Sequence, residues 1–420
     1  MDYVFSDKTK KITLGVAIVG LLLFLLGIVF DSSENYTSLF TEKVVDGEVV
    51  REYYGVAQRI WVSILTNGIF FFFISLAMLF FVALQYAAEV AWSVVFKRVY
   101  EAMMSVLPWT AGIIVIVLIA GQYGHMHHIY HWMTYDTGLT IDHVDFDKLL
   151  DHKSLFFEPY FFWPVLLSFL GAFVYFVSYY RKKSLEEDQE GGTRIHFKNF
   201  AKSAAFLVIF GYGSSIIAWQ IIMSVDAHWF STLFGWYVFA GMWLVGMIYA
   251  TILIIYLKGK GLLQIAKKGH LHDMGKWMFA LSFLWTYLFF SQFMLIWYAD
   301  IPEEITYFKV RIDDYAWIWW GMFFLNFLVP MVALMDSEAK KSKVALVVVG
   351  CIAFIFHWID VFMMISPGAM KSEAHLGLVE LGSFLLFLGV FTFMVLKSLA
   401  SRPLVVKNHP YLEESKHIHH

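Results

Sequence analysis

The feature that most constrains this chain is a series of ten long apolar stretches separated by polar segments. A helix that crosses the hydrocarbon core of a bilayer needs about 20 predominantly apolar residues. It satisfies its own backbone hydrogen bonds in lipid, and the stretches are too long for barrel strands of about ten alternating residues. The sequence therefore predicts an all-α integral membrane protein with ten transmembrane helices, at residues 12–30, 60–86, 106–124, 160–180, 201–224, 231–257, 275–299, 315–335, 343–365 and 376–398.

Composition excludes most other classes of protein. The 420 residues are 59% apolar and only 15% charged, whereas soluble domains average roughly 45–50% and 25%. The net charge of −3 gives no reason to expect a nucleic-acid partner. The single cysteine, Cys351, excludes an internal disulfide, a covalent haem motif and a four-cysteine iron–sulfur site.

The basic residues predict the orientation. Of the 31 Lys and Arg residues, 23 fall on the side of the N-terminus, here called side A, and eight fall on the opposite side B. Because basic residues concentrate in cytoplasmic segments, side A is expected to be cytoplasmic, with both termini on it. The stretch 12–30 is interpreted as a retained span rather than a signal peptide. Residues 87–105 predict an amphipathic helix that lies on the side-A surface.

Ionisable residues inside spans are costly and usually functional. His357 and Asp360 are three residues apart in the ninth span, so they share one helix face. Glu380 enters the tenth span from side B. If these spans pack together, the three form a titratable cluster that opens to side B. It would serve as a proton path or polar pocket, or alternatively as an acid–imidazole pair that fixes helix packing.

A second polar group, containing Asp226 and His228, lies where the fifth and sixth spans meet on side B. Its structural interpretation is that Asp226 or Ser224 caps the sixth helix.

Four histidines crowd the exit of the third span, at positions 125, 127, 128 and 131. A di-iron desaturase would need several such boxes, and His131 with Asp136 has the H-x4-D spacing of an acyltransferase. A zinc or copper site is chemically compatible with imidazoles alone. The favoured interpretation is a polar interfacial loop that contacts a partner. A b-type haem is not expected, since His357 is the only deeply placed histidine.

Two long segments resemble a known family. They are residues 219–241 (WQIIMSVDAHWFSTLFGWYVFAG) and residues 272–304, which contain HDMGKWMFA, WTYLFFSQFMLIWY and PEE. Both resemble the second NrfD-like, or ActF-type, membrane subunit of alternative complex III. The tail HPYLEES at 409–415 and the DHK at 151–153 are also similar to that family.

The resemblance implies a single membrane domain, residues 1–420, with two four-helix bundles at 56–225 and 226–366. Flanking helices and a tail would cover 1–30 and 376–420. It implies a quinol:cytochrome c oxidoreductase of the respiratory chain in a bacterial inner membrane, with menaquinol as substrate of the complex. This chain would scaffold the complex without a cofactor or metal of its own.

The expected partners are a sister NrfD-like subunit that oxidises quinol, subunits that carry haem c and iron–sulfur clusters, small membrane subunits and lipid. No quinone-binding or catalytic residue can be assigned in this chain. The polar positions that would serve proton conduction are Asp226, His228, His357, Asp360 and Glu380. Two other hypotheses stay open, an ion-coupled secondary transporter and a membrane acyltransferase that uses His131 and Asp136.

Overall fold

The computed structural model describes residues 2–33, 41–45, 48–52, 55–133 and 147–417. Ten of its helices are long and apolar enough to cross a membrane, which confirms the prediction of a multi-pass helical protein. We number them α1 (Asp7–Ser33), α2 (Val56–Ala87), α3 (Leu107–Gln122), α4 (Pro159–Glu190), α5 (Arg194–Ile217), α6 (Leu233–Gly259), α7 (Lys268–Ala299), α8 (Ala316–Ala333), α9 (Lys343–Met370) and α10 (Leu378–Ala400). The third spanning segment as a whole is Val94–Gln122, of which α3 is the C-terminal part.

Shorter elements join the spans. An antiparallel hairpin, β1 (Thr41–Val45) and β2 (Glu48–Glu52), lies between α1 and α2. A π turn at Ala218–Ile222 and a 3₁₀ turn at Met223–Val225 extend α5. The remaining short α-helices are Lys97–Met104, Lys148–His152, Ser154–Phe157, Pro302–Asp313, Ser337–Lys341 and Leu412–Lys416.

Helix α2 is the centre of the protein. It packs against α3, α5, α6, α9 and α10, and it is buried along nearly its whole length. Its run Phe70–Phe73 is apolar on every face, which is typical of a helix enclosed by other helices. The other spans pack around it, with α6 contacting α7 and α9, α8 contacting α7 and α9, and α4 contacting α5.

Helices α1 and α10 form a closely packed pair at the periphery. A Cβ atom added at Gly20 would lie 2.2 Å from the backbone nitrogen of Leu386, and one at Gly382 would lie 2.3 Å from that of Phe24. Glycine is therefore required for the two backbones to approach this closely, as in other membrane helix pairs. The opposite face of α1 is exposed, which suits contact with lipid.

The two chain ends lie at the same end of the helical assembly. Asp2 forms an antiparallel bridge with Pro403, just beyond α10. The tail is then held by hydrogen bonds from the Lys407 amide and the Asn408 side chain to Asp188, at 2.8 Å each. Ten spans, an even number, return the chain to the side on which it starts. The contacts of the tail with Asp188 then hold it there.

A helix is present within 87–105 as predicted, but the prediction that it lies on the surface is wrong. All eight residues of Lys97–Met104 are buried. The charged face that suggested an interfacial helix is covered by α4, because Lys97 binds Glu187 and Arg98 binds Asp188. Burial of these charges is explained by their pairing.

Candidate functional site

A buried acid–imidazole group lies between α6, α7 and α9. Asp360 accepts a hydrogen bond from the Tyr237 hydroxyl at Oδ1 and one from Trp285 Nε1 at Oδ2, the latter at 3.0 Å. His357 Nδ1 is 3.7 Å from the same Oδ2. All four side chains are at least 97% buried. The i, i+3 spacing read from the sequence therefore does bring the imidazole and the carboxylate together.

The His357 ring is positioned by an edge-on contact with Trp285, with ring centroids 4.9 Å apart. On the 1.5 Å rise per residue, it lies about 20 Å along α9, close to the middle of the helix. Neither ring nitrogen has a hydrogen-bond partner among the described residues. Buried polar atoms of this kind ordinarily bind ordered water. The two ring nitrogens of His357 are therefore the polar atoms of this group that the described side chains leave without a hydrogen bond.

Other buried polar atoms on α7, α8 and α9 also lack partners within the described ranges. They are Gln292 Nε2 on α7, both side-chain polar atoms of Asn326 and Trp319 Nε1 on α8, and Ser366 Oγ on α9. The interior bounded by α6 to α9 is therefore rich in buried polar atoms that the described protein groups do not satisfy.

Arg311 connects this interior to side B. It lies on the helix Pro302–Asp313 and is fully buried. Its guanidinium donates to Asp226 Oδ2 at 2.9 Å and to the carbonyls of Met363, Met364 and Tyr307 at 2.7 to 3.0 Å. It also stacks on the Tyr307 ring, 3.4 Å from its centroid. Asp226, the partner carboxylate, keeps 18% of its side chain exposed.

These groups form one electrostatic network. Tyr307 lies close enough to Arg311, Asp226 and Asp360 to interact electrostatically with all three. Tyr237 interacts in the same way with Asp360 and Arg311. Direct contacts link Asp226, Arg311 and Tyr307 near side B, and a separate hydrogen bond links Tyr237 to the fully buried Asp360. The prediction that Asp226 or Ser224 caps α6 is wrong, because that helix begins at Leu233 after an uncapped Thr232.

Glu380 belongs to a different group. Both of its carboxylate oxygens bind Arg59 of α2, at 2.7 and 2.6 Å. Ser63 and the Gly377 amide complete its hydrogen bonds, at 3.3 and 2.9 Å. The expected cluster of Glu380 with His357 and Asp360 is not formed, because Glu380 binds Arg59 while Asp360 binds Tyr237 and Trp285.

His228 lies at the side-B rim, where its Nε2 binds Asp147. Burial raises the pKa of Asp147, but hydrogen bonds from His228 and two backbone amides outweigh it and lower the pKa. The His131 ring lies 6.2 Å from that of His228, and burial together with this neighbour lowers the pKa of His131. Burial and the neighbours His131 and His127 lower the pKa of His128 to about 4. His128 and His131 are therefore neutral at pH 7.

Asp136, the second residue of the acyltransferase spacing, lies outside the described residues.

A third polar group on side A was not predicted from the sequence. Glu187, His196 and His409 place ligand atoms within 4.8 Å of one another, beside a cavity of about 20 Å³. However, the Lys97 ammonium lies 2.6 Å from Glu187 Oε2. Because this ammonium already neutralises the carboxylate and would repel a dication, the group fits a buried ion-pair network better than a metal centre.

The histidine positions do not fit a bis-histidine haem. Such a haem needs two imidazoles at matching depth on facing helices. Of the histidines in the described ranges, His357 lies near mid-helix, while His196 and His270 lie near the side-A ends of α5 and α7. The nearest neighbours of His357 are Trp285 and Asp360 rather than a second imidazole.

Comparison with known proteins gives no family model that matches this chain and no curated protein that is significantly similar to it.

Proposed function

We propose that this chain is a membrane-integral subunit of a quinol:cytochrome c oxidoreductase of the alternative complex III type, located in a bacterial inner membrane with both termini in the cytoplasm. It scaffolds partner subunits that carry haem c and iron–sulfur clusters, and it conducts protons. The proposal starts from the sequence resemblance described above. The observation that carries its chemical part is the buried Asp360–His357 group, which can titrate but cannot by itself transfer electrons.

Helix contacts support the NrfD-like arrangement within this proposal. Helices α2 to α5 are linked by contacts of α2 with α3 and α5, and of α4 with α3 and α5. Helices α6 to α9 are linked in the same cyclic order, while α1 and α10 pack mainly on each other. We assign the two cycles to the two four-helix bundles and α1 with α10 to the flanking pair.

The proposed proton path uses the interior bounded by α6 to α9. Protons enter or leave at Asp226, which is partly exposed at side B. Tyr237 and His357 contact Asp360 on two sides, so a proton on the carboxyl can pass to the imidazole through water. Glu380 and His228 serve as structural partners of Arg59 and Asp147 in this scheme. Quinol oxidation itself takes place in the sister subunit.

Removal of this chain from its native host tests the assignment to a quinol-oxidising complex. We expect isolated membranes to lose quinol:cytochrome c reductase activity and to regain it when the wild-type gene is restored. Unchanged activity in the deletion strain would contradict the proposed function. In that case the transporter hypothesis would be tested by ligand-driven flux in vesicles.

A further inference from the structure

A long groove opens on the lipid-facing surface between α1, α6, α9 and α10. Its volume is about 470 Å³, and most of its wall is apolar, with side chains that include Ile12, Val16, Leu253, Phe354, Leu388 and Leu396. None of the groups around Asp360 or Arg311 lines the groove. The groove is therefore separate from the proposed proton path.

The groove has the depth of one leaflet. It runs from Lys8, at the start of α1, and Lys260, just after α6, down to Tyr249. Eleven residues at 1.5 Å per residue cover roughly 16 Å, about half of a hydrocarbon core of about 30 Å. The lysines thus lie at the side-A surface, and the apolar wall extends to the middle of the bilayer.

The mouth of the groove is basic and polar. Lys8 and Lys260 are exposed there, and Lys260 lies over the Tyr256 ring at 5.7 Å. The hydroxyls of Tyr256 and Thr9 are 3.3 Å apart. No acidic residue is among the described side chains that line the groove, and the adjacent Asp7 pairs with Lys10.

We propose that this groove binds an anionic phospholipid of the side-A leaflet. Its phosphate lies between Lys8 and Lys260, within reach of the two hydroxyls, and an acyl chain follows the apolar wall. A quinone tail or an apolar partner helix would fill the wall but would gain nothing from two lysines at the mouth. Charge complementarity therefore favours the anionic lipid. This proposal does not depend on the redox role of the complex.

Native mass spectrometry of the full-length chain in detergent tests the proposal, with phosphatidylglycerol and phosphatidylcholine of identical chains as probes. One lysine next to the headgroup of an anionic lipid strengthens the binding of that lipid by about fivefold. We expect the double variant Lys8→Gln/Lys260→Gln to weaken phosphatidylglycerol binding by about 25-fold on the same rule, and to leave phosphatidylcholine binding unchanged.

The matched control is Lys198→Gln/Lys202→Gln, which removes two exposed lysines at the side-A end of α5, outside the groove. This control should bind both lipids as the wild type does. Equal binding of the two lipids by the wild type, or an equal loss in the control, would overturn the proposal.

The only cysteine of the chain, Cys351, gives a readout of position because it is exposed in the wall of the groove. Phosphatidylglycerol should slow alkylation of Cys351 by a maleimide in the wild type but much less in Lys8→Gln/Lys260→Gln. If cross-linking from Cys351 in native membranes captures a polypeptide instead of lipid, the groove is a protein interface and the proposal is wrong.

Discussion

Replacement of Asp360 by Asn is expected to leave the protein folded and assembled while it lowers the number of protons moved per electron. The carboxylate accepts hydrogen bonds from both Tyr237 and Trp285. An amide can keep both contacts, because its oxygen accepts from the indole and its NH₂ donates to the tyrosine oxygen. What the amide loses is the ability to take up and release a proton.

The measurement is the proton-to-electron ratio of the purified complex in vesicles, with assembly checked by size-exclusion chromatography. We expect the ratio in Asp360→Asn to fall to the value that quinol oxidation alone releases. The control is Glu303→Gln, which neutralises an exposed acid on the helix Pro302–Asp313 and should leave the ratio unchanged. A normal ratio in Asp360→Asn would reduce the His357–Asp360 pair to a packing role.

The second large effect concerns stability. Removal of Arg59 by Arg59→Met leaves Glu380 as an unpaired carboxylate that is 96% buried. Loss of one partner of a buried ion pair typically costs about 3–5 kcal/mol. We therefore expect a strongly lowered unfolding temperature in detergent, followed by tryptophan fluorescence, and a reduced yield of folded protein.

Two further variants separate the pair from other effects. The double variant Arg59→Met/Glu380→Leu should recover most of the stability, because apolar replacements of a buried pair are often neutral or stabilising. Lys10→Met breaks an exposed pair with Asp7 at 2.9 Å and should change the free energy of unfolding by less than about 1 kcal/mol. A loss in the double variant as large as in Arg59→Met would contradict this account.

The spans could be predicted from the sequence because about 20 apolar residues in a row leave few alternatives to a membrane helix. Every one of the ten predicted stretches overlaps a spanning helix in the structure. The pairing of His357 with Asp360 was also predictable, since both lie on one turn of one helix. In each case the signal is local, and no tertiary contact is needed to interpret it.

The partners of buried charges could not be predicted in this way. Arg59 lies at the start of α2, and its partner Glu380 is 321 residues away in sequence. Arg311 lies in a polar segment between two spans, where hydropathy indicates only a loop, but its helix folds inward and buries the side chain completely. Lys97 and Glu187 meet by the same kind of long-range contact.

Extraction of native membranes with a mild detergent, followed by a visible spectrum and identification of the chains that elute together, tests whether this protein belongs to a haem-containing complex. We expect haem absorption in the peak that contains this protein, together with several co-eluting subunits. A solitary, colourless protein that still moves or converts a substrate unaided would contradict it.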